Sequence, residues 1–277
     1  MERIRMTIPR SRLPAGFLET IEAVPGRVAE ARPAATAVLM RDGERGLEVL
    51  LLRRSRTSGF VPGAYVFPGG RVDPADSDRR IFAGSGEPPS EPGPEYWAAV
   101  LREVFEETGV LLAVDAAGES TADAVSDPEL EGLRVSLLED RLSLLEVLER
   151  RALRPALERL VYVAHWITPE VEPRRFDTRF FLAALPPGRD TTFEPREMSD
   201  AIWLSPKAAL ERFAAGTLPM VFPTVRTLES VAGFDSVAAA FDALRGRPVR
   251  AFLPRLVRTP DGVGLVLDDD DGEGDRG

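Results

Sequence analysis

Three glutamates lie close together near the end of a predicted helix, in the segment AVLREVFEETGV that begins at Ala99. Glu103 precedes Glu106 and Glu107 by three and four residues, which places all three carboxylates on one helix face. The C-terminus of a helix is the negative end of its dipole and disfavours each nearby anion by about 0.3 to 1 kcal/mol. A positive group is therefore expected there, and Arg102 alone offsets only part of three negative charges.

A divalent cation such as Mg²⁺ or Mn²⁺ is the more specific candidate for that positive group, because hard cations bind carboxylate oxygens and water. A solvated charged helix face is the alternative, since runs of charge usually lie on the surface. The chain has no cysteine and one histidine, which excludes thiolate sites and multi-histidine sites within one chain. That histidine, His165, lies in the apolar run VYVAHWI, and we predict a buried, hydrogen-bonded strand residue.

The composition limits the class of protein. The 277 residues are 44% hydrophobic and 29% charged, which is typical of a soluble globular chain with a substantial core. The net charge of -10 argues against a general nucleic-acid-binding surface, which is normally basic. The start of the chain lacks the apolar core of a signal peptide, and no run reaches the length of a membrane helix. We therefore predict a cytoplasmic protein with neither a nucleic-acid nor a membrane partner.

Several predicted elements must position the glutamates. Two strands, AATAVLMRD and GLEVLLLRR, are predicted to form a hairpin with a turn around Asp42 and Gly43. The Gly/Pro-punctuated loop FVPGAYVFPGG follows, and the glutamate helix is predicted to begin near Glu95 and to end in a left-handed cap at Gly109. Leu and Val at helical spacing predict one or two amphipathic helices over 128–153, and we interpret their leucine stripe as core packing.

The second half of the chain is predicted to contain three strands and three helices. The strands are RLVYVAHWIT, RFDTRFFLAAL and SDAIWLS, and the first two are suited to a meander. Ser205 is the predicted N-cap of a helix that starts with Pro206. Two further helices are predicted near 222–232 and 235–245. Strands before, between and after helices favour a mixed α/β or α+β sandwich.

Two segments, Phe67–Gly70 and Arg102–Val110, together resemble the Nudix box. Its pattern is Gly, five residues, Glu, seven residues, then Arg-Glu-apolar-x-Glu-Glu-x-Gly-apolar, and the second half matches here without a break. In the first half Asp76 stands in place of Glu, and 25 residues separate Asp76 from Arg102. The excursion between them resembles an insertion inside the box, which a surface loop tolerates because the cost of loop closure grows slowly with length.

A pattern upstream resembles that of Nudix enzymes that cleave coenzyme A and its acyl derivatives. Its residues in this chain are Leu51, Leu52, Arg54, Ser55, Gly63, Phe67, Pro68, Gly69, Gly70 and Asp76. With the long insertion in the box, the chain looks most like the coenzyme A diphosphatases whose box is interrupted. This resemblance implies an α+β fold, an α/β/α sandwich in which helices flank a mixed sheet.

The same resemblance implies a division of the chain. We predict an N-terminal arm over 1–32, irregular because of its prolines, and a Nudix hydrolase domain over 33–258. The domain is predicted to carry insertions at about 77–94 and 115–157. An acidic, Gly-rich composition predicts a flexible tail over 259–277.

The resemblance also implies roles for the residues of the box. Glu103, Glu106 and Glu107 are the expected ligands of one to three Mg²⁺ or Mn²⁺ ions. The expected catalytic residues are Glu103, Glu106 and Arg102, with Glu103 as candidate base and Arg102 as the group that orients a glutamate. The expected substrate-binding residues are Arg54, Gly69, Gly70 and Glu197.

Some of these roles have competing interpretations. Glu194 and Asp200 compete with Glu197 for the role of a further carboxylate, and a solvated loop acid explains each of them equally well. Asp76 is either a group that supports the box or a turn residue. Arg54 belongs to a basic cluster with Arg53 and Arg56 that is able to pair with phosphate, although alternate residues of a strand face opposite sides.

The leading hypothesis is a metal-dependent diphosphatase that converts coenzyme A or acyl-coenzyme A into a phosphopantetheine product and adenosine 3',5'-bisphosphate. Diphosphatase activity on ADP-ribose, NAD(H) or another nucleotide, or a non-catalytic Nudix-fold module that binds a nucleotide, is the alternative. A helical interaction protein that uses 128–153 is a third class. A homodimer is compatible with the sequence, which does not determine the oligomeric state.

Overall fold

The computed structural model describes residues 4–9, 28–56, 61–120 and 123–267. The chain divides into two compact units. The larger unit consists of the described residues within 34–163 and 179–247, and the smaller of those within 1–33, 164–178 and 248–277. The residues that the sequence predicts to do chemistry all belong to the larger unit.

Strands and helices alternate along the described residues. In chain order the strands are β1 (Ile4–Pro9), β2 (Ala31–Gly43), β3 (Gly46–Arg54), β4 (Tyr65–Val66), β5 (Gly69–Arg71), β6 (Ala113–Val114), β7 (Arg154–Pro155), β8 (Leu160–Ile167), β9 (Arg175–Ala184), β10 (Met198–Leu204), β11 (Ala251–Phe252), β12 (Arg255–Thr259) and β13 (Gly262–Val266). The α-helices are α1 (Pro94–Thr108), α2 (Pro128–Leu138), α3 (Leu144–Arg150), α4 (Pro206–Ala214), α5 (Phe222–Val231) and α6 (Val237–Leu244). Short 3-10 helices lie at Pro74–Ser77, Arg79–Phe82 and Leu157–Arg159.

The sheet of the larger unit has the strand order β10-β3-β2-β9-β8. β2 and β3 form the predicted antiparallel hairpin, with Gly43 opposite Gly46. β5 pairs antiparallel with β2, where Gly69 lies opposite Thr36 and Gly70 opposite Ala35. The glycines of the FPGG segment are therefore held against the backbone of a buried central strand. Strands β8 and β9 continue into the smaller unit.

Both faces of the central strands are covered. In β3, Leu50 and Leu52 join the hydrophobic core that contains α1, and Val49 and Leu51, which alternate with them, are equally buried. α1 packs against β5, and α4 packs against β3. Helices therefore flank a mixed sheet, which confirms the predicted α+β class.

The glutamate helix α1 is buried over almost its whole length. From Tyr96 to Thr108 every residue is buried except Glu106. The helix starts at Pro94 and ends at Gly109, which adopts a left-handed conformation (φ 72°) and donates its N–H to the carbonyl of Phe105. Both predicted ends of the helix are thus confirmed, and its carboxylates do not form a solvated surface.

The predicted helices over 128–153 are α2 and α3. Leucines of both helices join the core around α1, namely Leu130, Leu133, Leu137, Leu144, Leu145 and Leu148. The leucine stripe is core packing, as predicted. The later helices also match, and Ser205 caps α4 by accepting a hydrogen bond from the N–H of Ala208 at 3.2 Å.

The smaller unit contains a three-stranded antiparallel sheet in the order β1-β13-β12. All five residues of β13 are buried. The predictions of an irregular arm over 1–32 and a flexible tail over 259–277 were therefore wrong for β1 and β13. The apolar run GVGLV pairs on both sides, and the acidic composition applies only to the residues after it; the tail residues 268–277 lie outside the described residues.

His165 belongs to the smaller unit. The predicted strand position and hydrogen bond are confirmed, because His165 lies in β8 and its Nε2 forms a hydrogen bond with Asp177; its side chain is 13% exposed and therefore only partly buried. β11 pairs in parallel with β8 beside it, and Phe252 stacks on Trp166 with ring centroids 4.8 Å apart. Among the helices within the described ranges, none combines the length and the apolar character that a membrane span requires.

Candidate active site

The FPGG loop lies directly against the glutamate face of α1. The N–H of Gly69 donates to Oε2 of Glu107 at 2.9 Å. A Cβ on Gly69 would come within 2.7 Å of the Cα of Thr36, and a Cβ on Gly70 would overlap the carboxylate of Glu103. Glycine at position 69 therefore permits the close approach of the loop to β2, and glycine at position 70 permits its close approach to α1.

Arg102 lies at the centre of the site and uses all five of its N–H donors. Nε and Nη2 donate to the two oxygens of Asp76, each at 3.0 Å, and Nη2 also donates to the carbonyl of Arg71 at 2.7 Å. Nη1 donates to Glu103 at 2.9 Å and to Glu106 at 3.0 Å. Its side chain is 7% exposed. Arg102 thus binds two of the glutamates, and its catalytic role stays a prediction.

Asp76 stands where the usual box pattern has a glutamate, and it binds Arg102. Its side chain is 1% exposed and also accepts the N–H of Asp73 at 2.8 Å. The 3-10 helix Pro74–Ser77 brings it to Arg102. Of its two interpretations, the structure supports a group that holds the box together, because both oxygens of Asp76 bind Arg102.

Burial raises the pKa of all three glutamates on α1. It raises that of Glu103 to about 8 although the charge of Arg102 opposes the change. Burial likewise raises the pKa of Glu106 to about 7, again against Arg102. Burial and the nearby charge of Glu103 raise the pKa of Glu107 well above its ordinary value. Negative charge at this place is thus poorly compensated by the protein alone.

The donor groups fit a hard divalent cation in type and charge. Carboxylate oxygens are the ligands that Mg²⁺ and Mn²⁺ prefer, and three carboxylates, those of Asp76, Glu103 and Glu106, bind the guanidinium of Arg102. Within the described residues, however, no three acidic or histidine side chains are already arranged as a metal-binding group. Glu103 and Glu106 bind Arg102 instead, and Glu107 binds Gly69. A cation here requires side-chain rotation of the glutamates.

Comparisons with known proteins agree with this geometry. The protein-family model described as NUDT19 Nudix domain matches residues 92–230, and the family model described as NUDIX domain matches residues 30–130. The chain belongs to the Nudix hydrolase family.

Relatives of this Nudix chain include structures and named enzymes. The crystal structure of a NUDIX hydrolase from Alicyclobacillus acidocaldarius is 32% identical and covers 79% of this chain and 99% of its own, with a TM-score of 0.68. Acyl-coenzyme A diphosphatase NUDT19 of Gallus gallus is 30% identical over 237 residues, which span 69% of this chain but only 62% of that protein. The protein of the same name from Homo sapiens is 27% identical over 270 residues, 82% of this chain and 72% of its own.

The two predicted substrate-binding residues outside the Nudix box lie near Glu107. Arg54 ends β3 opposite Met198 of β10, and the N–H of Ser55 donates to the carbonyl of Glu197 at 2.8 Å. The charge of Glu197 raises the pKa of Glu107, behind burial and Glu103, and the charge of Arg54 lowers it. The fold thus brings Arg54 and Glu197 to the same carboxylate.

The acids that compete with Glu197 are engaged elsewhere. Glu194 is buried and bound to Nε of Arg196 at 2.8 Å. Asp200 accepts the hydroxyl hydrogen of Tyr65 at 3.0 Å. Arg53 lies with its guanidinium carbon 5.8 Å from the centre of the Tyr65 ring. Within the basic cluster, therefore, Arg53 faces Tyr65, whereas the charge of Arg54 acts on Glu107.

The sequence interpretation missed one charged residue next to the Nudix helix. Arg134 of α2 is 4% exposed, and its Nε donates to the carbonyls of Phe105 at 3.1 Å and Glu106 at 2.8 Å. Its position in the sequence indicates burial, because Arg134 lies beside Leu133 and one turn from Leu130, on the buried side of α2. A charged residue on an apolar helix face needs a partner inside the protein.

Proposed function

We propose that this Nudix chain is a divalent-metal-dependent diphosphatase that hydrolyses coenzyme A or acyl-coenzyme A. The products would be a phosphopantetheine derivative and adenosine 3',5'-bisphosphate. One observation carries the hydrolase part of the proposal, the group of buried carboxylates around Arg102 beside the glycine loop. The pattern from Leu51 to Asp76 and the names of the relatives support the substrate.

Glu103, Glu106 and Glu107 would hold Mg²⁺ or Mn²⁺. A bound divalent ion would supply charge neutralisation at the phosphoryl oxygens and a lowered pKa of water. Asp76 holds Arg102, and Arg102 holds two of the glutamates, so the ligands are positioned by contacts that exist in the protein alone. Cation binding would still require rotation of the glutamate side chains, because their oxygens bind Arg102 and Gly69.

Glu103 is the proposed base. Its carboxylate lies directly against Gly70 of β5, where no side chain separates it from the backbone of the loop. Water forms a bond to one phosphorus, the bond from that phosphorus to the bridging oxygen breaks, and the bridging oxygen leaves with the other phosphate. The proton of the attacking water passes to Glu103.

The substrate-binding part of the proposal involves the loop and the start of β10. Gly69 and Gly70 carry no side chain that would block the diphosphate. The guanidinium of Arg54 is suited to a phosphate oxygen, because an arginine pairs with phosphate through two parallel hydrogen bonds. Glu197 is exposed next to Glu107 and is available as a further carboxylate.

Incubation with coenzyme A and Mg²⁺, followed by mass analysis, tests the proposal. We expect the two products in the presence of the metal and none with a chelator. Cleavage of ADP-ribose or NADH in place of coenzyme A would replace the substrate and retain the chemistry. Nucleotide binding without cleavage would instead indicate a non-catalytic module.

The variant Glu106→Gln separates an enzyme from a binding module. It removes one negative charge from the site and keeps the size of the side chain, so turnover should fall by orders of magnitude (about 10² or more). Glu95→Gln, in the first turn of the same helix, is the matched control and should keep wild-type turnover. Equal turnover of both variants would contradict the catalytic role of Glu106.

A further inference from the structure

A buried arginine joins the second insertion to the glutamate helix. Arg134 lies on α2, inside the insertion over 115–157, and is 4% exposed among the leucines of that helix. Burial of a guanidinium is costly unless its donors find partners. The partners of Arg134 therefore indicate what the residue does.

Those partners are the last turn of α1 and two acidic side chains. Nε donates to the carbonyls of Phe105 at 3.1 Å and Glu106 at 2.8 Å. Nη1 donates to both carboxylate oxygens of Glu131, at 3.0 and 3.1 Å. Nη2 lies 3.9 Å from a carboxylate oxygen of Glu194, which precedes β10. One side chain thus connects α1, α2 and the segment that leads to Glu197.

The carbonyls at the end of a helix have no partner within the helix. Arg134 donates to the carbonyl of Glu106. The N–H of Thr192 donates to the carbonyl of Thr108 at 2.9 Å, and the N–H of Ala124 donates to the carbonyl of Gly109 at 2.9 Å. The positive charge of Arg134 also lies at the negative end of the helix dipole. The end of α1 is consequently held from outside the box, by the second insertion and the loop before β10.

We propose that Arg134 is a positioning residue that fixes Glu106 and Glu107 relative to the glycine loop. This inference rests on the proposed function, because it assigns a role within the same site. Arg134 binds the backbone carbonyl of Glu106, and the carboxylate of Glu106 binds Arg102 at 3.0 Å. The next residue is Glu107, whose carboxylate accepts the N–H of Gly69 at 2.9 Å. A shift of that turn by about 1 Å would break both hydrogen bonds, and misplacements of this size can lower a rate by about a hundredfold.

The test compares Arg134→Met, Arg134→Lys and a control, Arg141→Met. Arg141 follows α2, is 58% exposed and pairs with Glu139. We expect Arg134→Met to lower kcat for coenzyme A by about ten- to a hundredfold with KM within about twofold, as expected for misplaced catalytic groups. Arg134→Lys, which keeps the charge and one donor to the carbonyls, should recover part of kcat. The control should match the wild type.

Hydrogen exchange of the amides over 103–110 supplies a readout that does not depend on catalysis. Exchange there should be faster in Arg134→Met and unchanged in Arg141→Met. If the wild type cleaves no diphosphate, the proposed function fails. Faster exchange in Arg134→Met would still show that Arg134 holds the end of α1 in place. If the wild type cleaves coenzyme A and Arg134→Met keeps its kcat per folded molecule, the positioning role is wrong.

A third variant keeps the inference testable if Arg134→Met does not fold. Glu131→Gln leaves the arginine in place and removes the carboxylate, 40% exposed, that orients its Nη1. We expect kcat to fall by about two- to fivefold at an unchanged melting temperature, less than for Arg134→Lys. A wild-type kcat in both Arg134→Lys and Glu131→Gln would overturn the inference.

Discussion

Replacement of Asp76 by Asn tests the reasoning about the interrupted box most directly. Asp76 and Arg102 form a buried pair with two hydrogen bonds of 3.0 Å, and their side chains are 1% and 7% exposed. Asn keeps the size but turns an N–H₂ group toward a guanidinium that has only donors. Removal of one partner from a buried ion pair typically costs about 3 to 5 kcal/mol. Because Glu103 and Glu106 also compensate Arg102, we expect the lower end, about 3 kcal/mol.

The expected loss is measurable in two assays. For a chain of this size, about 3 kcal/mol corresponds to a decrease of about 6 to 12 °C in the melting temperature, at 2 to 4 °C per kcal/mol. We also expect kcat for coenzyme A to fall at least about tenfold, because Arg102 no longer orients Glu103 and Glu106. Asp78→Asn is the control, since Asp78 pairs with the exposed Arg80 and not with Arg102.

One result would refute the reasoning about Asp76. If Asp76→Asn melts within about 1 °C of Asp78→Asn and keeps its kcat, the pair with Arg102 neither stabilises the fold nor orients the glutamates. Asp76→Glu restores the residue of the usual box pattern and distinguishes charge from fit. Because Asp76 is 1% exposed, the added methylene should destabilise the protein by about 1 to 3 kcal/mol even though the charge is kept.

Two further changes probe the loop and the end of α1. Gly70→Ala places a Cβ against the Glu103 carboxylate, so kcat should fall at least about tenfold in the coenzyme A assay. The control is Gly233→Ala, at a glycine with open space around it and no positive φ, and it should keep kcat. Equal kcat values in the two variants would contradict the close approach of Gly70 to Glu103. Burial raises the pKa of Asp123, but hydrogen bonds from the N–H of Asp190 and from Ser126 outweigh burial and leave it below its ordinary value. Asp123 therefore stabilises the fold above the pKa of the unfolded chain, about 3.9, and this contribution is lost as the pH falls through the folded pKa. Asp123→Asn should lower the free energy of unfolding by about 1 to 3 kcal/mol at pH 7 and by less near pH 3. Urea unfolding measures this difference, and a difference that is the same at both pH values would contradict the stabilising role of the Asp123 charge.

The sequence could predict those elements whose signals are local. The extent of α1 follows from Pro94 at its start and Gly109 at its end, and Ser205 marks the start of α4 in the same way. The β2–β3 hairpin follows from two adjacent apolar runs. The spacing of Arg102, Glu103, Glu106 and Glu107 likewise needs only the period of a helix to place the carboxylates on one face.

The sequence could not predict elements that depend on distant partners. β1 and β13 come from opposite ends of the chain and pair with each other, and their residues form strands because of that pairing. The same limit explains the wrong extent of the predicted tail. Arg134 lies in the segment predicted as amphipathic helix, and only the packed structure shows that it faces the carbonyls of α1.

The sequence by itself determined which side chains the candidate site offers, because helix periodicity brings three carboxylates to one face and composition excludes thiolate and multi-histidine sites within one chain. Tertiary structure alone decided how those carboxylates are held. It brought Asp76 to Arg102 across 25 intervening residues, set Gly69 against Glu107, and placed Arg134 at the end of α1. These contacts join residues far apart in the chain, and their pairing is set by burial, which leaves each buried charge stable only where a partner lies within reach.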